Sequence, residues 1–384
     1  MPYFPGPLPL TLYIHIPWCV RKCPYCDFNS HAVRGELPEQ NYIDALIKDL
    51  QADLPRIANP DFESIFIGGG TPSLFSGKSI DRLLKLINER VNIKNNAEVT
   101  LEANPGTVEY ARFAEYRQAG INRLSIGVQS MQAHQLKNLG RIHSPVEVIN
   151  AVKSAKKAGF TRINLDLMYG LPEQSLQDAL DDLEQALALQ PAHLSWYQLT
   201  LEPNTLFYQY PPKVPNHDLV ADIELAGRNL LLSKDFVQYE ISAYCLPNEL
   251  CKHNLNYWQF GDYLGIGAGA HSKITDYKTH AVTRFWKYKH PKDYLNLDKK
   301  FIAEINTVTA QELPFEFMMN ALRLKQPITV KLFTERTGLP LTTITPILNR
   351  AHDRGLLVFN EELIQLTELG NCFVNEILNL FMEK

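Results

Sequence analysis

From residue 11 to about residue 245 the chain repeats a single unit, a short apolar run rich in β-formers followed by a longer amphipathic stretch. That alternation admits few folds. Repeated βα units build a parallel sheet whose crossovers cover its faces, and six or seven of them fit a partial or complete parallel β/α barrel. The strand candidates span 12–16, 64–67, 98–101, 123–126, 162–167 and 194–199, with a further run near 238–244. Between them, 39–54 repeats Tyr42, Leu46 and Leu50 every four residues, and 79–90 gathers Ile80, Leu83, Leu84 and Ile87 into one helical stripe. Ser144 with Glu147, and Ser175 with Asp178, have the spacing of helix-opening capping boxes. In a barrel of this kind the chemistry belongs at the carboxyl ends of the strands.

Residues 201–300 break the alternation and crowd aromatic side chains together, among them Tyr257, Trp258, Phe260, Phe285 and Trp286, so this stretch is expected to close or cover the barrel. Beyond Thr309 the pattern turns helical and then gives a short hairpin near 355–366, which reads as a winged-helix-like module. The expected division is a partial barrel over 1–245, an aromatic closing segment over 246–305 and the C-terminal module over 306–384.

Composition narrows the partners. With 38 basic and 42 acidic residues the net charge is −4, which offers no field for a phosphate backbone, and nucleic acid is not expected. No apolar run approaches the roughly 18 residues that span a bilayer, and the opening MPYFPGPLPL lacks a basic segment followed by a hydrophobic one. A cytoplasmic location is the expectation.

Of the six cysteines, Cys19, Cys23 and Cys26 cluster on one loop after the first strand, while Cys245, Cys251 and Cys372 are scattered. A disulfide framework would be spread more evenly, so the cluster points to a metal centre. Two centres fit. Three thiolates can hold an iron–sulfur cubane with one iron left open, whereas zinc would take the same three with His31 as the fourth ligand.

The C-x3-C-x2-C spacing after a first strand resembles the radical S-adenosylmethionine (SAM) superfamily. Gly68-Gly69-Gly70-Thr71-Pro72, just past the second strand, is similar to its glycine-rich SAM motif. The resemblance implies a [4Fe–4S] cluster on Cys19, Cys23 and Cys26 whose open iron takes the amino and carboxylate groups of SAM. It implies further SAM contacts from Tyr13, Gly69, Gly70, Thr71, Glu102, Gln129, Arg141 and Asp166. Glycines there would let backbone approach the ligand closely. Carboxylates suit its ammonium and ribose hydroxyls, and an arginine fork suits its carboxylate.

Longer phrases, including Leu-Tyr-Ile-His-Ile-Pro-Trp-Cys at 12–19 and Leu-Gly-Ile-Gly-Ala-Gly-Ala-His-Ser at 264–272, resemble the oxygen-independent coproporphyrinogen III oxidases and the heme chaperones related to them. Two departures favour the chaperone branch. The oxidases carry another cysteine where this chain has Phe28, and a longer segment before the cluster than the eighteen residues found here. The phrase His253-Asn254-Leu255-Asn256-Tyr257-Trp258 matches an HNxxYW motif of the chaperones that the oxidases lack. The resemblance therefore implies heme as a further ligand, met by His253, and acceptor hemoproteins, respiratory enzymes among them, as partners. Contact with membrane-bound acceptors would be transient. An unperturbed imidazole would lose iron to protons as the pH falls through about 6.5. The rival reading is radical decarboxylation of coproporphyrinogen III, and whether the chain is an enzyme stays open at this point.

Overall fold

A computed structural model describes residues 2–106, 110–296 and 300–382. Six βα units form as the apolar periodicity requires. Their strands are β1 (Leu10–Ile16), β2 (Asp61–Gly69), β3 (Asn92–Ala103), β4 (Arg123–Gln129), β5 (Arg162–Tyr169) and β6 (His193–Gln198). The principal helices that follow them are α1 (Glu39–Asp53), α2 (Gly77–Asn88), α3 (Tyr110–Ala119), α4 (Pro145–Lys157), α5 (Leu176–Ala188) and α6 (His217–Leu232). Both capping boxes close as the spacing predicts: Ser144 and Glu147 open α4, and Ser175 and Asp178 open α5.

Each strand pairs in parallel with its predecessor. The run expected near 238–244 instead forms two short strands, β7 (Val237–Glu240) and β8 (Ala243–Cys245); β8 pairs antiparallel with β6, and β7 antiparallel with β8. At the other edge, β9 (Asp262–Ile266) pairs in parallel with β1. An antiparallel series follows it: β10 (His271–Asp276), β11 (Ala281–Lys287) and β12 (Ile302–Val308). The aromatic stretch therefore lengthens the sheet beside β1. Among the described residues this makes one twelve-stranded sheet in the order β12-β11-β10-β9-β1-β2-β3-β4-β5-β6-β8-β7, curved and unclosed.

The central strands are sorted by face. In β4, Leu124, Ile126 and Val128 are wholly buried in the core against the helices, while Arg123, Ser125, Gly127 and Gln129 line the concave side. In β5, Leu165 and Leu167 take the core side and Asn164 and Asp166 the cavity side; in β6, Leu194 and Trp196 oppose His193, Ser195 and Tyr197. Alternation of period two thus carries an apolar outer face and a polar inner one.

A second core belongs to the C-terminal module. It contains α8 (Leu313–Ala321), α9 (Val330–Thr337), α10 (Thr345–Asp353) and α11 (Val374–Met382). A small sheet of β13 (Ile328–Thr329), β14 (Leu357–Phe359) and β15 (Leu363–Leu366), ordered β13-β15-β14, completes it. Phe4, Phe260 and Val282, from outside the module, join that core. No described helix is long and apolar enough to cross a membrane.

Candidate functional site

The cysteine loop is pinned at both ends. Trp18–Cys19 pairs with His31–Ala32, the His31 amide donates to Pro17 O at 2.7 Å, and the Val33 amide donates to Cys19 O at 2.9 Å. Between these ties, Cys23 and Cys26 face the mouth of the barrel with Cys19, and all three thiols are free. Burial raises the Cys19 and Cys26 thiols, opposed at Cys19 by Thr71 and Ser30 and at Cys26 by Ser30 and the Phe28 backbone. A metal centre would have to displace those protons.

Among the described residues no three His, Cys, Asp or Glu side chains converge tightly enough for a single metal ion. His31 Nε2 instead lies 3.2 Å from Asn29 Oδ1 and its ring meets His290 edge-on. His31 thus has partners of its own in Asn29 and His290, and three thiolates holding a centre leave one position open.

The glycine run after β2 interlocks with this loop. Gly70 N donates to Ile16 O at 2.8 Å and Thr71 N to Trp18 O at 2.7 Å. A Cβ on Gly70 would stand 2.6 Å from Trp18 O; one on Gly69, where φ is +118°, would stand 2.7 Å from the His15 ring. Protein neighbours by themselves therefore exclude a side chain at both glycines.

All the predicted residues, Tyr13, Gly69, Gly70, Thr71, Glu102, Gln129, Arg141, Asp166 and His253 with the three cysteines, line one cavity of about 600 Å³. Glu102, near the end of β3, accepts the Gly69 N–H at 3.0 Å. Burial and then the charge of Asp166 push its pKa up to about 8, against the pull of that N–H. Burial also raises Asp166, but Ser125 donates to it at 3.0 Å and Asn164 at 2.7 Å and both hold it down.

Gln129 adopts φ +70° at a register shift and accepts from Tyr197 Oη at 2.8 Å. Arg141 Nη1 reaches Cys23 Sγ at 3.6 Å while Nη2 donates to Gly127 O at 2.8 Å. Burial works against its charge, and Tyr25 and Cys23 more than restore it. The arginine is thus tied to the thiolate loop as well as facing the cavity. Tyr13 Oη lies 2.9 Å from His15 Nδ1.

His253 sits on α7 (Lys252–Trp258) in the cavity wall, its Nδ1 3.0 Å from Ser64 Oγ and its ring stacked on Phe66 at 5.0 Å. It is 1% exposed, and burial lowers its pKa to about 3. Its Nε2, Arg141 Nε and Thr100 Oγ1 are buried with no partner among the described residues. With Trp258 Nε1 these make four unsatisfied polar atoms on residues of one cavity wall, a place that polar partners would complete.

Sequence reasoning passed over Thr100, Ser125, Asn164, Ser195 and Tyr197, which also line the cavity. Their signal was available: each is a polar residue two positions from another on a strand whose alternate positions are apolar.

The chain matches known proteins along its whole length. The Radical SAM superfamily model matches residues 13–186, and the HemN C-terminal domain model matches residues 308–373. The heme chaperone HemW of Haemophilus influenzae is 51% identical, covering 100% of this chain and 99% of its own. That of Escherichia coli is 49% identical over 97% and 98%, and that of Bacillus subtilis 34% over 97% and 99%. Among solved structures, the coproporphyrinogen III oxidase HemN of Escherichia coli, a radical SAM enzyme, superposes with a TM-score of 0.82 at 24% identity, covering 98% of this chain and 90% of that one. The fold is that of a radical SAM protein. Within that class, the chain belongs to the HemW family of heme chaperones.

Proposed function

We propose that this chain is a cytoplasmic heme chaperone that binds heme, a [4Fe–4S] cluster and SAM and hands heme to acceptor hemoproteins, respiratory enzymes among them. Membrane-bound acceptors would be met by transient contact. The observation that carries the reading is the single cavity in which the three thiols, the SAM-motif residues and His253, Tyr257 and Trp258 of the HNxxYW phrase meet.

Cys19, Cys23 and Cys26 would hold the cluster, which would supply an open iron for the amino and carboxylate groups of SAM. Around it, Glu102 and Asp166 receive the cationic part of that ligand, and Gly69, Gly70 and Thr71 form the wall beside it. Gln129 and Arg141 orient its polar ends, and Tyr13 packs at the β1 side. His253, in the phrase that the resemblance ties to heme, lies in the same wall with its Nε2 unpartnered.

Phe28 in place of a further cysteine argues against oxidase chemistry. Heme titration of the anaerobically reconstituted protein, followed by transfer to an apo-hemoprotein, tests the proposal. Catalytic conversion of coproporphyrinogen III to protoporphyrinogen with SAM and reductant would replace it with the oxidase reading.

A further inference from the structure

A second cavity, of about 640 Å³, adjoins the first and shares Tyr13, Cys26, Phe28 and Tyr257 with it. Its volume lies within the range of small-molecule and cofactor sites, roughly 300–1,000 Å³.

Three histidines line it, and two are committed. His15 spends Nδ1 on Tyr13 Oη and Nε2 on Asn29 O, and His31 spends Nε2 on Asn29 Oδ1. The third, His271, is exposed, and its side chain has no hydrogen bond to a described residue. Its ring lies on Trp286, centroids 5.6 Å apart at 23°, so its plane is supported while its nitrogens are open. It opens β10 directly after a turn in which Gly267 and Gly269 adopt φ +105° and +77°. A side chain at Gly267 would strike His15 O, and one at Gly269 would strike Asn29.

The rest of the wall has a matching character. Phe28, 63% exposed, presents an apolar ring beside Tyr257 and Tyr263. Lys22 and Lys289 supply cations; the acids are Asp27 and Glu102, and Glu102 stays protonated up to about pH 8.

We infer that this cavity receives heme, with His271 donating a nitrogen lone pair to the iron, Phe28 packing on the macrocycle and Lys22 and Lys289 meeting the propionates. The inference rests on the heme-chaperone reading and assigns iron, in the arrangement described here, to His271, because His253 Nε2 is sealed in the wall. An imidazole is a standard heme ligand, and an exposed aromatic ring beside an open cavity is a surface that a ligand covers.

Hemin titration of the reconstituted full chain, followed by the Soret band, tests it with H271A and the double variant K22E/K289E. H271A should lose on the order of 10–100-fold in affinity, as for loss of a metal-site partner, and shift the Soret maximum, with cluster absorption and SAM binding retained. K22E/K289E should weaken binding of hemin but spare hemin dimethyl ester, whose propionates carry no charge. Wild-type affinity and spectrum in H271A would overturn the assignment, and equal effects on hemin and its diester would overturn the role of the lysines. Failure of the wild-type chain to bind hemin at all would instead overturn the chaperone reading.

Discussion

The backbone N–H of Gly69 donates to Glu102 Oε2 at 3.0 Å, which makes the glycine loop and the carboxyl group at the end of β3 one unit at the cavity wall. Asp166 is near enough for its charge to add to the burial that keeps Glu102 protonated.

That proton should leave when SAM arrives. A cationic ligand favours the carboxylate, and in the free protein Glu102 ionises near pH 8. SAM affinity should therefore rise as the pH climbs toward 8 and level off above it. Calorimetry in two buffers of different ionisation enthalpy should register proton release near neutrality. Glu102→Gln keeps an acceptor for Gly69 but should bind roughly 10- to 150-fold more weakly, with no proton release. Unchanged affinity would remove Glu102 from the SAM site.

The cluster should depend on only half of the cysteines. Replacing Cys19, Cys23 or Cys26 by alanine should abolish the charge-transfer absorption near roughly 400 nm after anaerobic reconstitution. Alanine at Cys245, Cys251 or Cys372 should leave it intact, because none of these lies on the loop that closes between Trp18–Cys19 and His31–Ala32. Equal loss in the second set would misplace the centre.

Gly69→Ala places a Cβ against the His15 ring at a backbone angle that side chains rarely adopt, and His15 is held through both ring nitrogens. Destabilisation of about 1–3 kcal/mol is expected, read from the denaturant midpoint. A variant of wild-type stability would show that the loop rearranges freely.

His253 should make the fold acid-sensitive. Its pKa falls from 6.5 to about 3 on burial, so the unfolded chain takes up a proton first. The contribution is fully present above about pH 6.5 and is lost as the pH falls toward 3, by roughly 2 kcal/mol between pH 7 and pH 5. His253→Gln should have a flatter stability profile over that window than the wild type. The same shift revises the expectation from the sequence: protonation of His253 does not compete with iron near neutrality, so heme affinity should not drop through pH 6.5 on its account.

The order of the βα units, the three-cysteine loop and the residues at the strand ends were legible because each is local: a run, a spacing, a residue after a strand. The pairing of β9 with β1 was not, since a run of five residues carries no mark of its partner or direction. Nor was the sealing of His253, which depends on Ser64 and Phe66 of β2 packing against α7. The link from Arg141 to Cys23 was hidden for the same reason, as it joins residues 118 apart in sequence.

Phe4 packs into the C-terminal core with Phe260 and Val282, and the Tyr3 amide donates to Gly338 O at 2.8 Å. A side chain at Gly338 would meet the Tyr3 backbone, so the fit between the two segments is close. The C-terminal core therefore cannot be completed by residues 306–384 alone. Its last pieces come from the beginning of the chain and from beside α7, and the molecule should unfold in one cooperative transition, with Phe4→Ala lowering the stability of the far module as much as a cavity within it would.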